Sequence, residues 1–187
     1  MSANHYLDPT CPANCTTTLP SMSFTKCGPK VNAAQIRWLY ITNIGQSLQD
    51  VEDAAEWATR ISNSSGTANA IRELLVIGSK PKPEYQKINI AGGLTVSGKK
   101  KHSVPFKIDQ TNLTNLAMVR QFECGGSFLG WYETSSNILF GGDHGIEGSI
   151  DADVIIDEDS GQLIRIEGTF SFELQYSPEA IESPIAR

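Results

Sequence analysis

The chain has 187 residues and a formal net charge of −6, with 40% hydrophobic and 19% charged residues. These values are typical of one globular domain, and the acidic balance argues against a protein that coats nucleic acid by itself. The N-terminal region is polar and broken by prolines, unlike a secretion signal, and no apolar stretch approaches the ~18 residues of a membrane helix. We therefore expect a soluble protein that is made in a reducing cytoplasm and has no membrane partner.

Residues 1–32 predict an extended N-terminal arm. They are rich in Pro, Thr, Ser and Asn and show little periodicity. A segment of this composition buries too little apolar surface by itself to offset its ordering entropy. Such an arm either lies across a neighbouring subunit or stays loosely ordered. A β-rich body is expected over residues 33–176, followed by a short tail over residues 177–187.

Three of the four cysteines fall in the predicted arm, and the fourth lies far from them. Thiolates from distant segments can hold zinc, although the paired C-x2-C spacing of common zinc sites is absent. A disulfide that forms late is the other alternative. We favour ordinary thiols and expect no cofactor, because a reducing cytoplasm keeps thiols reduced. The four residues are Cys11, Cys15, Cys27 and Cys124.

Two helices are expected among many short strands. Residues 50–61 carry apolar residues at helical spacing, and Asp50 can cap the N-terminus ahead of an acidic first turn. Residues 113–122 predict a second helix, capped by Asp109 or Thr111. Glycine and proline residues separate the predicted strands, which cover residues 36–42, 71–77, 85–90, 94–97, 103–108, 127–134, 137–140, 146–156 and 164–176.

The strongest pattern is the strict alternation of apolar and polar residues over residues 164–176. Thirteen residues at ~3.3 Å each span roughly 43 Å, whereas a compact chain of this length has a radius of gyration of about 16 Å. With residues 146–156, which alternate in the same phase, this strand predicts a long hairpin with one apolar face. Such a hairpin suits a sheet that continues between subunits. The residues expected to build that shared sheet are Ile146, Ile150, Val154, Ile156, Ile164, Ile166, Phe170, Phe172 and Leu174.

A basic run predicts the tip of another hairpin. Lys99, Lys100 and Lys101 either contact an acidic neighbour at the rim of an assembly or form an ordinary solvated loop. An acidic run from Asp151 to Asp159 lies near the tip of the C-terminal hairpin. A charge-matched contact between copies is one form of the first alternative. A channel lined by the polar face of that hairpin would be acidic, so that DNA passing through it would not adhere.

Other candidate chemistry favours structural explanations. His144 lies in the glycine-rich loop 141–145, whose Asp-His pair is more typical of a tight connection with a polar tip than of acid–base chemistry. Trp131 and Tyr132 alternate faces, so at least one ring is expected in the core, although both could contribute to a sugar-stacking platform. The sequence shows no coherent set of nucleophile, base and orienting group. We therefore expect no enzymatic activity.

A resemblance to known proteins rests on several segments taken together. They are residues 27–31 leading into the strand at 36–41, the acidic helix that bears Trp57, residues 131–134, residues 141–146 and the long terminal hairpin. In this combination the chain resembles small virion structural proteins of tailed bacteriophages, including the crAss-like group, and its plan is similar to that of tail-tube and related ring subunits. The resemblance implies that long hairpins from several copies join into a closed β-barrel and that arms or loops clasp the next ring.

The expected fold class is mainly β, a β-dominated α+β domain built as a sandwich or partial barrel with a long C-terminal hairpin and one or two packed helices. The expected function is that of a structural subunit of a bacteriophage virion. It would assemble with copies of itself and other virion proteins into a tail tube, ring or connector by sheet sharing. The alternatives are a capsid-decorating or head-fibre protein and a carbohydrate- or receptor-binding β-sandwich module. No sequence-specific contact with nucleic acid is expected.

Overall fold

The computed structural model describes residues 35–63, 69–91, 93–158 and 163–186, and the predicted arm lies outside this part of the chain. The described residues form nine strands and two helices, which confirms the mainly β class. In chain order the elements are β1 (Ile36–Asn43), α1 (Ala54–Ser62), β2 (Arg72–Gly78), β3 (Glu84–Ile90), β4 (Leu94–Ile108), α2 (Leu113–Glu123), β5 (Phe128–Thr134), β6 (Ile138–Phe140), β7 (Ile146–Ile155), β8 (Arg165–Leu174) and β9 (Ala180–Glu182).

The antiparallel sheet closes on itself into a six-stranded barrel. Its strands pair in the order β1–β2–β4–β8–β7–β5, and β5 then pairs with β1, from Ile36 opposite Thr134 to Asn43 opposite Phe128. Each barrel strand therefore has a neighbour on both sides. β6 and β9 extend the sheet beyond β5, and β9 lies in the segment predicted as a short tail.

β4 is one continuous strand of fifteen residues where two strands were predicted, at residues 94–97 and 103–108. Along one edge it pairs with β3 over its first half and with the end of β2 over its second half. The connection between β2 and β3 contains Pro81 and Pro83. Since proline has no N–H to donate, these residues interrupt the ladder and divide one long partner of β4 into two strands.

All six barrel strands and α2 contribute side chains to one interior core. Phe170 of β8 is fully buried there, and its ring occupies the space beside two glycines. A Cβ atom at Gly130 would lie 2.7 Å from Phe170 Cζ, and one at Gly148 would lie 2.6 Å from Phe170 Cε2. Both distances are too short for real carbon atoms, so the large ring and the two glycines require one another. Besides Phe170, the buried members of this core are Ile36, Leu39, Ile41, Leu74, Val76, Val104, Phe106, Ile108, Val119, Phe122, Tyr132, Ile146, Ile150, Ala152, Ile166 and Phe172.

A second core lies outside the barrel, between helix α1 and the outward faces of β1 and β5. Trp57 of α1 packs edge-on against Tyr40 of β1 and Trp131 of β5, with ring centroids 5.1 and 5.5 Å apart. Tyr132 belongs to the interior core, whereas Trp131 belongs to the outer one. Because these neighbouring residues point to opposite sides, β5 is buried on both faces.

Both helices begin at a capping residue one to three positions after the predicted one. The carboxylate of Asp53 accepts a hydrogen bond from the N–H of Ala55 at 2.8 Å and caps α1. The predicted cap, Asp50, instead forms a turn before the helix, because its carbonyl accepts from the N–H of Asp53 at 3.2 Å. Asn112 caps α2, so neither Asp109 nor Thr111 has the role predicted for it.

We expect Phe170→Ala to lower the free energy of unfolding by about 3–5 kcal/mol, because it removes a buried ring from a closed barrel that can collapse only partly. Urea unfolding would measure the loss. Ser149→Ala, on the exposed face of β7, is the matched control and is expected to change stability by less than about 0.5 kcal/mol. Equal losses in the two variants would contradict the assignment of inner and outer faces.

Candidate assembly surface

The predicted C-terminal hairpin is present as β7 and β8, paired from Gly148 opposite Phe172 to Ile155 opposite Arg165. Its apolar face lines the interior of the chain's own barrel. β8 also pairs with β4 over nearly its whole length, so both of its edges are occupied within the chain. The prediction that this hairpin supplies a sheet shared between copies therefore finds no free edge on β8.

The nine residues predicted for the shared sheet differ widely in exposure. Ile156 and Ile164, beside the loop of the hairpin, are 72% and 47% exposed and can contact a neighbour. The other seven belong to the interior core or pack against it, with Ile146, Ile150, Ile166, Phe170 and Phe172 buried and Val154 and Leu174 partly buried.

A different hairpin projects from the barrel. Among the described strands, β3 pairs only with β4. β8 ends at Leu174, opposite Lys100, so the part of β4 before Lys100 has β3 as its single partner. We call residues 84–99 the ribbon. Its two outer edges pair with no described strand, and every side chain described on β3 is exposed.

Two side-chain contacts hold the base of the ribbon. The ammonium group of Lys100 lies 5.0 Å from the centroid of the Tyr85 ring, within the range of a cation–π interaction. The amide nitrogen of Gln86 donates a hydrogen bond to the carboxylate of Glu173 on β8 at 2.6 Å. Tyr85 remains 56% exposed, so its outer face is available to a partner.

Six lysines lie on the ribbon or at its base, and we call them the basic patch. Because side chains alternate along β4, Lys99 and Lys101 lie on one face of the strand and Lys100 lies on the other. The predicted rim contact supplies half of it, with Lys99 and Lys101 exposed and Lys100 partly buried. Partial burial and then the charge of Lys100 lower the pKa of Lys80. In the segment 79–101, Glu84 is the sole acidic residue. The six lysines are Lys80, Lys82, Lys87, Lys99, Lys100 and Lys101.

His102 lies behind the basic patch, at the point where β4 enters the barrel. Its ring is fully buried and stacks on Phe172 with centroids 4.9 Å apart and planes 6° apart. Among the described residues, neither ring nitrogen has a hydrogen-bond partner. Burial, together with the charges of Lys80 and Lys100, lowers the pKa of His102 from 6.5 to about 4, so the ring is neutral at physiological pH.

An open groove crosses the outward face of the barrel, over the middle of β7, β8 and β4. Asp151, Asp153 and Glu167 line it, and Lys107 supplies a single compensating ammonium group among its lining residues. Lys107 pairs with Glu167 at 3.0 Å and, with a further contribution from Arg165, lowers the pKa of Glu167. We call this feature the acidic groove. Its apolar lining includes Ile77, which is 52% exposed, and Pro105.

The glycine-rich loop after β6 is a structural connection around a buried tryptophan. The indole N–H of Trp131 donates to the carbonyl of Gly142 at 2.7 Å. A Cβ atom at Gly145 would lie 2.7 Å from Trp131 Cζ2. The carboxylate of Asp143 accepts from the N–H of Val51 at 2.7 Å and fastens the loop to the segment before α1. Trp131 is fully buried, so it offers no surface for stacking a sugar.

The cysteines give no metal geometry in the described part of the chain. Cys124 is exposed after α2, and Cys11, Cys15 and Cys27 lie outside the described residues. Within those residues, no group of three or more His, Cys, Asp and Glu side chains is arranged to hold a metal ion. No described helix is long and apolar enough to cross a membrane.

The sequence patterns missed the ribbon as a surface. They predicted its strands, but they wrongly placed Lys99–Lys101 at the tip of a hairpin, whereas these residues lie within the continuous strand β4. They also attributed the projecting hairpin to β7 and β8. Pro81, Pro83 and the six lysines clustered within residues 79–101 were the available signals. Prolines end a ladder, and charged residues on a strand that is wet on both faces indicate an exposed edge.

Comparison with known proteins adds no family assignment. No protein-family model matches the chain, and no curated protein sequence is significantly similar to it.

We expect stability to fall as the pH is lowered from about 6.5 to about 4, because the unfolded chain protonates His102 in this window and the folded chain does not. The loss attributable to this residue is on the order of 2–3 kcal/mol. Urea unfolding at a series of pH values would measure it. His102→Phe, which keeps the stacked ring, is expected to remove this part of the pH dependence. An unchanged slope in His102→Phe would contradict the assignment.

Proposed function

We propose that this protein is a structural subunit of a bacteriophage virion that assembles with copies of itself by sheet sharing through the ribbon. The observation that carries the proposal is a two-stranded ribbon with two open edges that projects from the barrel. Open strand edges pair readily with other strands, and an isolated two-stranded hairpin is only marginally stable in water. A neighbouring copy that adds a strand would extend the sheet at such an edge.

The tail-tube and ring resemblance is compatible with this arrangement. It implies that hairpins from several copies join, and the ribbon is the hairpin with open edges in the described part of the chain. The barrel wall of β7, β8 and β4 would then face either the exterior or a lumen. If the wall faces a lumen, its acidic side chains would keep DNA from adhering to it. They include Asp151, Asp153 and Glu173. We propose the virion as the location, with other virion proteins as further partners.

The two alternative functions receive different support. A capsid-decorating protein would also use a projecting ribbon, but it would attach the ribbon to a shell protein and not to another copy. A carbohydrate-binding module loses the platform predicted for it, because Trp131 and Tyr132 are both buried. The proposed function includes no enzymatic activity.

We expect a variant that lacks the ribbon to fold but not to assemble. In this variant an Asn-Gly turn joins Tyr85 to Lys100 in place of residues 86–99, which closes the hairpin at a registered pair. Light scattering and negative-stain imaging should show rings or tubes for the natural chain and monomers for the variant. Thermal unfolding should give similar midpoints, because the barrel core is untouched.

The control for this experiment keeps both edges and removes charge. Lys87→Gln with Lys99→Gln leaves the ribbon backbone intact, so it is expected to retain measurable assembly. A natural chain that stays monomeric at every concentration would contradict self-assembly. If the variant without residues 86–99 assembles as the natural chain does, the role of the ribbon is contradicted but self-assembly is not.

A further inference from the structure

A second open strand edge lies on the opposite side of the barrel from the ribbon. β9 is the last strand of the sheet and pairs only with β6 among the described strands. β6 in turn pairs with β5, which lies three strands away from β4 by either route around the barrel. The ribbon and β9 of one copy are therefore apart, and no pairing joins them among the described strands.

The ladder between β6 and β9 determines which backbone groups face this open edge. The N–H of Ser183 donates to the carbonyl of Asn137 on the β6 side at 2.8 Å. Because successive residues of an antiparallel strand direct their backbone groups to opposite edges, those of Ala180 and Glu182 point away from β6. Pro184, the next residue in the same phase, has no N–H, so it limits the open edge to a short stretch.

The segments that form β6 and β9 carry acidic side chains and no basic ones. Glu179 and Glu182 are the only charged residues within residues 135–140 and 176–186. Both are exposed, and neither forms an ion pair within the described part of the chain. An open groove runs along the two strands, and Ile138 adds apolar surface to it. The edge therefore offers carboxylates to a partner strand.

β3 is the ribbon strand that matches this edge in charge. Lys87 is the only charged residue within residues 86–98, and it is exposed and has no ion pair among the described residues. Opposite charges on paired strands attract, so Lys87 is expected beside Glu182. In that register a parallel approach would place the carboxylate of Glu84 beside that of Glu179. The antiparallel approach avoids this repulsion.

We propose that β3 of one copy pairs antiparallel with the open edge of β9 of the next copy, with Lys87 beside Glu182. The proposal rests on the proposed function, because it names the strand that receives the ribbon during sheet sharing. Each partner has an edge that no described strand occupies, so the sheet would continue from one copy into the next.

This contact has a direction. The two edges differ, so a copy that uses its ribbon still presents the edge of β9 to another copy. Contacts of this heterologous type generate closed rings or open filaments and exclude a simple two-fold dimer. Because the two edges lie on opposite sides of the barrel, successive copies would follow one another in a row.

The first test removes a backbone donor from the open edge. Ala180→Pro deletes an N–H that points away from β6, so the hydrogen bonds between β6 and β9 remain. We expect assembly about tenfold weaker than that of the natural chain, as measured by sedimentation velocity. Ala180→Ser keeps the N–H and is the matched control, which should assemble normally. Similar thermal midpoints for the two variants would show that both are folded.

The second test exchanges the charged pair and needs no change in the backbone. Lys87→Glu alone and Glu182→Lys alone should each assemble about three- to tenfold more weakly, because like charges then lie side by side. The chain that carries both substitutions should regain assembly, since opposite charges face each other again. Losses that simply add in this double variant would overturn the pairing of the two residues.

Carbodiimide cross-linking locates the contact in the natural chain, because it joins amine and carboxylate groups that touch. In a mixture of isotope-labelled and unlabelled chains, a link between copies is expected from Lys87 to Glu182. Lys87→Arg keeps the charge but lacks the amine, so it should assemble without forming this link. Links between copies from Lys87 to Glu84 would show that two ribbons pair with each other and would overturn the proposal.

The failure of this contact can be distinguished from the failure of self-assembly. If Ala180→Pro assembles as the natural chain does, the contact with β9 is overturned, while self-assembly through the ribbon stands. A natural chain that stays monomeric at every concentration would overturn both proposals.

Discussion

The pairing of β1 with β5 closes the barrel, and the rest of the structure depends on that closure. These strands are about ninety residues apart in sequence, yet they pair along their whole lengths. Closure gives every barrel strand two neighbours and encloses the ring of Phe170 against glycines on two other strands. It also determines what is left outside. β3 and the first part of β4 have no place in the circuit, so the ribbon is exposed because the barrel is complete.

Local patterns predicted most elements of this fold. Alternation located β7 and β8 and gave the correct inner face, because a strand with one wet face carries that information in its own residues. The pattern failed at β4, where the run from Lys99 to Lys101 resembles a loop although the backbone continues as a strand. At β5 the expectation that at least one of the rings of Trp131 and Tyr132 lies in the core is confirmed, and both rings are buried, since a second core covers the outer face.

The candidate surface was harder to predict than the fold, for a physical reason. A strand's alternation reports which face is buried, but it does not report which edge is paired, and pairing depends on partners distant in sequence. The long pattern of residues 164–176 therefore indicated a projecting hairpin, although β8 lies between β4 and β7. The ribbon and the segment before it carried a less conspicuous signal, namely Pro81, Pro83 and the six lysines within residues 79–101.

Lysines on an open edge serve two opposed requirements. An exposed hairpin edge pairs with any available strand, and charged side chains, lysine above all, are the usual means of preventing that. The same charges would prevent two ribbons from pairing with each other, since both carry Lys87 and Lys99. A partner strand that carries carboxylates would remove this repulsion. Assembly through the ribbon would therefore be selective because the edge is protected. The feature that prevents indiscriminate aggregation would also select the partner strand.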